Sequence, residues 1–335
     1  MDWGAILSNA LRAAVGPDAI VFALAAIGLN VHFGYTGLLN FGQAGFMAVA
    51  AYGLAASVAT FGFSFWVGLL IGLLCSILLA LLLGIPTLRL RADYLAITTI
   101  AAAELLRIVL GSVTMKEYFG ARDGLQQFAG TFYGLNPFDG PFRLGIGPVG
   151  IGFSRNDTWV VLVGWIMVAI CCVIVWALMR SPWGRVLRSI REDEDAVRSL
   201  GKNVFGYKMQ ALILGGLFGA LAGMMVGIKQ AAIAPTDFAT DTTFFAWTIL
   251  LLGGAARVLG PVVGAILFWF LIQFLGGFFT QATRGDDPLM PVWLMSDQQS
   301  SLVRFIIMGL ALALLMIFRP QGIFGDRREI AIDAR

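Results

Sequence analysis

The sequence has little charge and few of the side chains that enzymes and metal sites use. Charged residues make up 13% of its 335 residues, whereas an ordinary soluble domain carries roughly a quarter. A single histidine argues against an ordinary zinc site, so we predict no bound metal. Three cysteines lie inside apolar runs without CxxC spacing and are expected to be small buried hydrophobic residues: Cys75, Cys171 and Cys172.

The chain also lacks the motifs of nucleotide hydrolysis and of common catalytic sites. No GxxxxGK[ST], GxSxG, HExxH or DFG motif is present, and the nearest approach to the first, Gly201–Asn203, lacks the upstream glycine and the hydroxyl that binds magnesium. Gly145–Gly150 matches GxGxxG, but no strand pattern precedes it and Pro148 interrupts the expected start of a helix. We therefore predict that the protein is not an enzyme, holds no cofactor of its own and has no nucleic-acid partner.

Long apolar runs are abundant. Hydrophobic residues make up 59% of the chain, and a helix that crosses a bilayer needs about 20 mainly apolar residues. We predict an all-α polytopic membrane protein, preceded by a short interfacial helix at 2–14. About nine transmembrane segments are expected, at residues 18–33, 37–58, 65–85, 94–111, 158–179, 207–228, 237–254, 259–281 and 302–318. Two of them, 37–58 and 237–254, are rich in Gly, Ala and Thr and are candidates for broken or re-entrant helices.

The order of these segments is symmetric about 158–179. Four segments precede it and four follow it, and the two groups begin on opposite sides of the membrane. This is the arrangement of an inverted repeat, a plan found in many transporters. We predict one transmembrane domain over residues 1–335, with an external insertion at 112–157 and a cytoplasmic segment at 180–206.

Lysine and arginine are concentrated in alternate loops. Cytoplasmic loops carry an excess of these residues, so we place the stretch after Met179 in the cytoplasm together with 86–93, 255–258 and the C-terminal tail. That side then holds 14 of the 23 basic residues, namely Arg89, Arg91, Arg180, Arg185, Arg188, Arg191, Arg198, Lys202, Lys208, Arg257, Arg319, Arg327, Arg328 and Arg335. The prediction is an external N-terminus and a cytoplasmic C-terminus.

Four glycines recur at four-residue spacing in segment 207–228, from Gly215 to Gly227. Such a stripe permits the close approach of another helix, which could belong to this chain or to a partner subunit. In segment 94–111, Glu104 and Arg107 are three residues apart and can pair on one helix face. Structural pairing is the favoured interpretation of that pair, and substrate contact is the alternative.

Small polar side chains gather near the two glycine-rich breaks. Broken helices with free main-chain groups and polar side chains hold polar solutes in transporters. We predict that the substrate path includes Asn30, Thr36, Asn40, Gln43, Thr98, Thr99, Asp241 and Thr243. For each of these residues, a hydrogen bond between helices is an equally good interpretation.

The cytoplasmic segment has the features of a docking helix. Ser181–Gly184 ends the preceding helix, Arg185–Leu200 is charged and helical in character, and Gly201 is placed to end it. Within it, Ala196, Val197 and Leu200 form a short apolar stripe. The stripe indicates a helix that lies in the groove of a cytoplasmic partner, and a solvated linker is the alternative.

Five motifs lie in order along nearly the whole chain: Gly34–Tyr52, Leu88–Ile97, Ser181–Gly201, Leu252–Gly264 and Arg319–Gly325. They resemble those of the permease subunits of branched-chain amino acid ABC importers (the LivM type). The resemblance identifies 1–335 as a permease domain and 180–206 as its coupling segment. Two positions depart from the family pattern: Val197 replaces an alanine of the coupling loop, and Ala121 replaces a glycine in the external insertion.

The resemblance implies a set of partners and contact residues. The partners are a homologous second permease subunit, two cytoplasmic ATPase subunits that bind ATP and Mg, an external substrate-binding protein and the lipid bilayer. The residues implied in ATPase coupling are Arg191, Glu192, Glu194, Ala196, Val197, Leu200 and Gly201.

The function that the resemblance implies is transport through a bacterial inner membrane. We expect a permease subunit of an ATP-binding-cassette importer that moves branched-chain or other hydrophobic amino acids into the cytoplasm. One alternative is an ABC permease for urea, amides or aromatic acids, since relatives with these substrates resemble the chain too. The other is a channel or secondary carrier that works without ATP, which would have no use for a docking helix.

Overall fold

The computed structural model describes residues 2–89, 92–146, 149–283, 297–319 and 321–325. Its helices are α1 (Trp3–Val15), α2 (Pro17–Leu29), α3 (Gln43–Ala59), α4 (Phe65–Thr87), α5 (Ala92–Leu110), α6 (Lys116–Phe119), α7 (Gly130–Gly134), α8 (Arg155–Arg180), α9 (Pro182–Glu192), α10 (Glu194–Ser199), α11 (Val204–Gln230), α12 (Thr240–Gly253), α13 (Gly260–Thr283) and α14 (Asp297–Phe318). The short strands are β1 (Leu125–Gln126), β2 (Phe142–Ile146), β3 (Val149–Phe153) and β4 (Ala232–Ile233), with β1 antiparallel to β4 and β2 antiparallel to β3.

The predicted all-α membrane fold is confirmed, whereas the count of nine spans is not. A helix lies at each of the nine predicted segments, but in the described part of the chain five stretches are long and apolar enough to cross a membrane. The number rises to six if α5 and the bent stretch after it, which ends at Phe119, count as one span. The helices in the two glycine-rich segments, α3 and α12, have only 17 and 14 residues.

Helix α2 lies at the centre of the bundle. Every residue from Ala19 to Leu29 is buried, against α8, α11, α12 and α13. Gly16, in extended conformation, separates α2 from α1, and the two helices with the following turn make one apolar stretch, Trp3–Tyr35, of 33 residues. A helix that is apolar on all sides is suited to such a buried position.

Helices α4 and α8 lie on the outside and turn apolar side chains outward. On α4, residues from Trp66 to Ile85 at helical spacing are more than half exposed, while Ser76 on the opposite face donates a hydrogen bond to Gly216 O at 3.1 Å. Helix α8 buries Cys171 and Cys172, as expected, and Cys75 on α4 is half-buried. Exposed apolar stripes of this length require lipid as the surrounding solvent.

The glycine stripe of α11 packs inside this chain. A Cβ atom on Gly215 would lie 2.2 Å from the His32 ring, and one on Gly223 would lie 2.0 Å from the Met47 carbonyl oxygen. Gly219 and Gly227 face Gln43 and Ile233 in the same way. The glycine stripe therefore packs α11 against elements of the same chain, namely the end of α2, α3 and β4.

Residues 112–157 form short elements over one end of the bundle. The expectation that no strand precedes the GxGxxG match was wrong, because β2 ends within the match and β3 begins within it. The two strands form a hairpin, whereas a nucleotide-binding GxGxxG motif connects a strand to a helix. Residues 147 and 148 of that match lie outside the described residues. Tyr133 donates a hydrogen bond to Ile228 O at 2.6 Å, and burial, with the nearby Asp157 carboxylate, raises its pKa above the usual value. The hydroxyl therefore stays protonated and fastens this region to α11.

Substitution of Gly223 by alanine is expected to destabilise the protein, because the new methyl group would meet a main-chain oxygen at 2.0 Å. Overpacking of this kind costs about 1–3 kcal/mol, which should appear as a lower thermal midpoint for the detergent-solubilised protein. Gly309→Ala on α14 is the matched control, since among the described residues no atom beyond the neighbouring main chain of its own helix lies within 4 Å of the added Cβ. Equal midpoints for the two variants would contradict the close packing of α11.

Candidate functional site

The centre of the candidate site is a break between α2 and α3. Helix α2 continues as a π-helical turn, Asn30–Tyr35, and the chain then runs without helix until Gln43. Gly37, at φ +75°, makes the change of direction. A break buried inside an apolar bundle leaves main-chain N–H and C=O groups that water cannot reach, and other protein groups must pair with them.

Asn30 joins the break to the connection between α12 and α13. Its Nδ2 donates to Arg257 O at 2.8 Å, and its Oδ1 accepts from Ala256 N at 2.8 Å. The side chain is 1% exposed. One amide thus satisfies a donor and an acceptor on a segment more than 200 positions away in the sequence.

His32, Asn40 and Gln43 form a connected chain of hydrogen bonds beside α11. His32 Nε2 lies 3.1 Å from Leu212 O, which can only accept, so Nε2 carries the proton and Nδ1 accepts from Asn40 Nδ2 at 3.0 Å. Gln43 Nε2 donates to Ala25 O at 3.2 Å and, more weakly, to Gly215 O at 3.4 Å. All three side chains are fully buried.

Two threonines and a tryptophan complete the cluster. Thr99 Oγ1 accepts from Phe41 N at 3.0 Å, and Thr243 Oγ1 accepts from Ala44 N at 2.9 Å. Trp247 Nε1 donates to Asn40 O at 3.0 Å, and its ring stacks on Phe41 at 4.8 Å between centroids. Helices α5 and α12 therefore close the break from two sides. Trp247 is not among the residues that the sequence predicted for this site. The signal that could have indicated it is an indole N–H donor on a short helix.

The structure brings together six of the eight residues predicted for the substrate path. Their side chains are buried and their hydrogen bonds go mainly to main-chain atoms of the break and its neighbours: Asn30, Thr36, Asn40, Gln43, Thr99 and Thr243. Thr98 is partly exposed and donates to Tyr94 O of its own helix at 2.7 Å, and Asp241 is exposed near the start of α12. Holding the break together is thus an observed role of the cluster, and contact with the solute stays a prediction.

The predicted pair on α5 is present. Arg107 Nε donates to Glu104 Oε2 at 2.9 Å, and Nη2 of the same guanidinium donates to Oε1. Thr240, the first residue of α12, donates to Glu104 Oε2 at 3.4 Å. The pair lies away from the buried cluster, on a face of α5 that remains partly exposed.

The segment after α8 consists of two helices, and the expectation of a single helix over Arg185–Leu200 was wrong. The break is at Asp193, whose Oδ1 accepts from Asp195 N and Ala196 N, each at 2.9 Å. An aspartate in this position is a helix N-cap. It starts α10 with a new direction, and Gly201, at φ +73°, lies just after its end.

The apolar stripe expected on this segment is divided between two directions. Val197 is buried against its own chain, whereas Ala196 is exposed and Leu200 is 79% exposed. Helix α9 also buries Leu187 and Ile190. Ala196 of α10 and Leu200, the residue that follows α10, are therefore the apolar side chains here that a partner can contact, because Val197 fixes α10 to the bundle.

Charged side chains attach the segment to the membrane bundle. Arg191 Nη1 donates to Gly34 O, inside the central break, at 2.5 Å. Glu194 pairs with Lys208 at the start of α11 and with Arg198 of α10. Glu192 is exposed. Of the residues predicted for ATPase coupling, Arg191, Glu194 and Val197 thus contact their own chain, and Glu192, Ala196 and Leu200 point outward.

Replacement of Asn30 by leucine should destabilise the bundle, since the change leaves Ala256 N–H and Arg257 C=O without their buried partner. An unsatisfied buried polar group costs about 1–3 kcal/mol, so the thermal midpoint in detergent should fall by several degrees. Thr87→Val is the matched control: it also removes a buried polar group, but this hydroxyl donates to Leu83 O of its own helix and joins no second segment in the described part of the chain. A midpoint for Asn30→Leu equal to that of the control would contradict the assigned role.

Comparisons with known proteins identify a family and relatives of this chain. A family model described as "Branched-chain amino acid transport system / permease component" matches residues 14–318. The high-affinity branched-chain amino acid transport system permease protein LivM of Escherichia coli (strain K12) is 30% identical over 311 residues, which cover 91% of this chain and 68% of the relative. The probable branched-chain amino acid transport permease protein LivM of Methanocaldococcus jannaschii is 23% identical, over 92% of this chain and 91% of the relative.

Among solved structures, PsaBC from Streptococcus pneumoniae in complex with Fab aligns over 95% of this chain and 94% of that chain, at 14% identity and a TM-score of 0.42. The family model covers the bundle from the end of α1 to the end of α14. Its members are permease components and not enzymes, and the resemblance carried by the five motifs is confirmed. The chain is a multi-pass membrane protein that belongs to the family of branched-chain amino acid transport system permease components.

Proposed function

We propose that this chain is one permease subunit of an ATP-driven importer that moves branched-chain or other hydrophobic amino acids into the cytoplasm. The observation that carries the proposal is the position of the α9–α10 segment. It presents α10 outward, while Arg191 connects the segment directly to Gly34 in the central break. A carrier without an ATPase would have no use for a short helix held in this way, and family membership gives the solute class.

The orientation that we propose puts the α9–α10 segment in the cytoplasm. The described basic residues on that side include Arg89 and Lys202, which line a cavity of about 350 Å³ beside α10 together with Glu194 and Arg198. An excess of Lys and Arg is typical of cytoplasmic loops. The N-terminus and the insertion 112–157 are then external.

We propose that one of the two ATPase subunits docks against α10, and that the ATPase subunits supply the ATP and Mg sites. Ala196 and Leu200 offer apolar contact, and the charges around them give the contact its orientation. Because Arg191 bonds to Gly34 and Val197 anchors α10, a shift of α10 would be transmitted to the break between α2 and α3. We propose that this is how hydrolysis changes the state of the permease.

A homologous permease subunit and an external substrate-binding protein complete the proposed assembly. The bent stretch after α5 and the hairpin β2–β3 lie at the end opposite α9–α10, where the binding protein would deliver its solute. We propose that the solute path runs between the two permease subunits, because polar solutes need a lining shielded from lipid on all sides.

Purification of the tagged chain from its native membrane tests the proposed function first. We expect it to bring down a second permease and an ATPase, and the ATPase rate should rise when leucine and the binding protein are added. Leucine-independent hydrolysis, or uptake that continues after ATP depletion, would contradict the proposal. Recovery of the chain alone would count equally against it.

The docking role of α10 is tested by Ala196→Asp combined with Leu200→Asp. Both positions are exposed, so membrane insertion and thermal stability should be unchanged, while the ATPase no longer co-purifies and leucine uptake falls at least about tenfold. Ala196→Ser with Leu200→Met is the matched control, because it changes the same positions without adding charge. Normal uptake by the aspartate variant would rule out α10 as the ATPase contact.

A further inference from the structure

The exposed faces of the outer helices differ in charge. Helices α4 and α8 turn only uncharged side chains outward along their apolar spans. The exposed face of α5 is also apolar at Ile97, Leu105 and Ile108, yet Glu104 and Arg107 are 38% and 29% exposed beside them. Ionisable side chains are costly in lipid and face protein or water when they occur in a span. This face of α5 is therefore not a lipid-facing surface.

The pair has little structural use within α5. At 1.5 Å per residue, Glu104 lies about 9 Å and Arg107 about 4.5 Å from the Leu110 end of the helix, so the pair lies in the last two turns of α5. Both charges belong to the same helix, three residues apart. An ion pair within one helix adds little to stability, and in the described part of the chain its hydrogen bond to another element is the long one from Thr240 of α12, at 3.4 Å. A purely structural role therefore gives the bundle little in return for two charges on an otherwise apolar face.

Helix α12 supplies the other half of the surface. Thr240 Oγ1 donates to Glu104 Oε2 at 3.4 Å, and α12 begins at this residue, so the positive end of its dipole lies beside the pair. Four residues further along the same face of α12, Phe244 is 46% exposed. We call this set the α5–α12 surface: Glu104, Leu105, Arg107, Ile108, Thr240 and Phe244.

We propose that the α5–α12 surface is the subsite of this chain that receives a zwitterionic apolar amino acid during transport. Glu104 takes the ammonium group, Arg107 takes the carboxylate through its planar fork, and Leu105, Ile108 and Phe244 contact the apolar side chain. The assignment rests on the proposed function, because it makes this face of α5 part of the path between the two permease subunits.

The exchange of partners keeps every charge paired. In the empty subsite Glu104 and Arg107 bond to each other, and with solute present each bonds to the opposite charge of the zwitterion. No charge is left buried alone in either state, which is the condition for holding charges at low dielectric. Binding is consequently weak and reversible, as a transport path requires, and an uncharged amide or a lone anion gains no such compensation.

The test uses the complete transporter complex with its binding protein in proteoliposomes and measures radiolabelled leucine uptake beside ATP hydrolysis. Glu104→Gln and Arg107→Gln should each lower the leucine moved per ATP by about tenfold or more, the loss expected for one charge-assisted hydrogen bond. Assembly and the ATPase rate stimulated by the loaded binding protein should stay within about twofold of the unaltered complex. A general folding defect would lower all of these quantities together.

Exchange of the two charges separates the subsite from a structural pair. Glu104→Arg with Arg107→Glu keeps an ion pair on α5 but inverts its polarity relative to α12 and the apolar contacts, so the leucine moved per ATP should stay low. Restoration to within about twofold of the unaltered complex would overturn the assignment, because a structural pair needs only opposite charges. The same exchange at the exposed Arg12–Asp157 pair, outside the surface, is the matched control and should retain uptake.

Two further measurements complete the test. If the neutral variants do not assemble, Glu104→Asp with Arg107→Lys keeps opposite charges but shortens one side chain and removes the fork of the other. It should also lower the leucine moved per ATP, and an unchanged ratio overturns the assignment. An unaltered complex that moves no leucine contradicts the proposed function itself, whereas leucine transport that tolerates the exchanged pair contradicts the subsite alone.

Discussion

The rest of this structure depends on one constraint: the main-chain groups of a broken helix must be paired where no water is available. The chain between Asn30 and Gln43 leaves the α-helical path in the middle of an apolar bundle. Side chains from helices distant in sequence provide partners for main-chain groups of the break and of the start of α3, namely Thr99 of α5, Thr243 and Trp247 of α12 and Arg191 of α9. In return, the side chains of Asn30 and His32 bond to main-chain groups of the α12–α13 connection and of α11. Because each unsatisfied group would be costly in hydrocarbon, these bonds determine how the surrounding helices are placed and allow a stable bend there.

Close approach of α11 follows from the same constraint. Side chains of the break can reach α11 main-chain oxygens only if no side chain of α11 intervenes, and the glycines at 215 and 219 meet that condition. On the α9–α10 side, Arg191 bonds to Gly34 O in the break itself. The break is thus held by many hydrogen bonds and is connected to the proposed ATPase contact. A two-state element for alternating access is expected at such a position.

The sequence predicted the helices well and their detailed contacts poorly. Apolar runs and breaker residues are local signals, so all nine predicted segments contain a helix, and the doubt about 37–58 and 237–254 corresponds to the short helices α3 and α12. The single helix expected over Arg185–Leu200 failed because the capping geometry of Asp193 outweighed the continuous charge pattern. The prediction of one apolar stripe on this segment was wrong, because periodicity does not show which neighbour a side chain contacts. Val197 packs inward, while Leu200 is exposed.

The sequence by itself determined that the chain is a helical membrane protein, where its helices lie and to which family it belongs, because composition, apolar run length and motifs are properties of contiguous residues. Only the tertiary structure decided what the polar residues do. Asn30 and Ala256 are 226 positions apart, yet the side-chain amide of Asn30 accepts a hydrogen bond from the main-chain N–H of Ala256. Glu104 likewise accepts a hydrogen bond from Thr240, 136 positions away. Pairing of buried polar groups depends on which distant segments the packing of helices brings within about 3 Å, and no local pattern in the chain records that proximity.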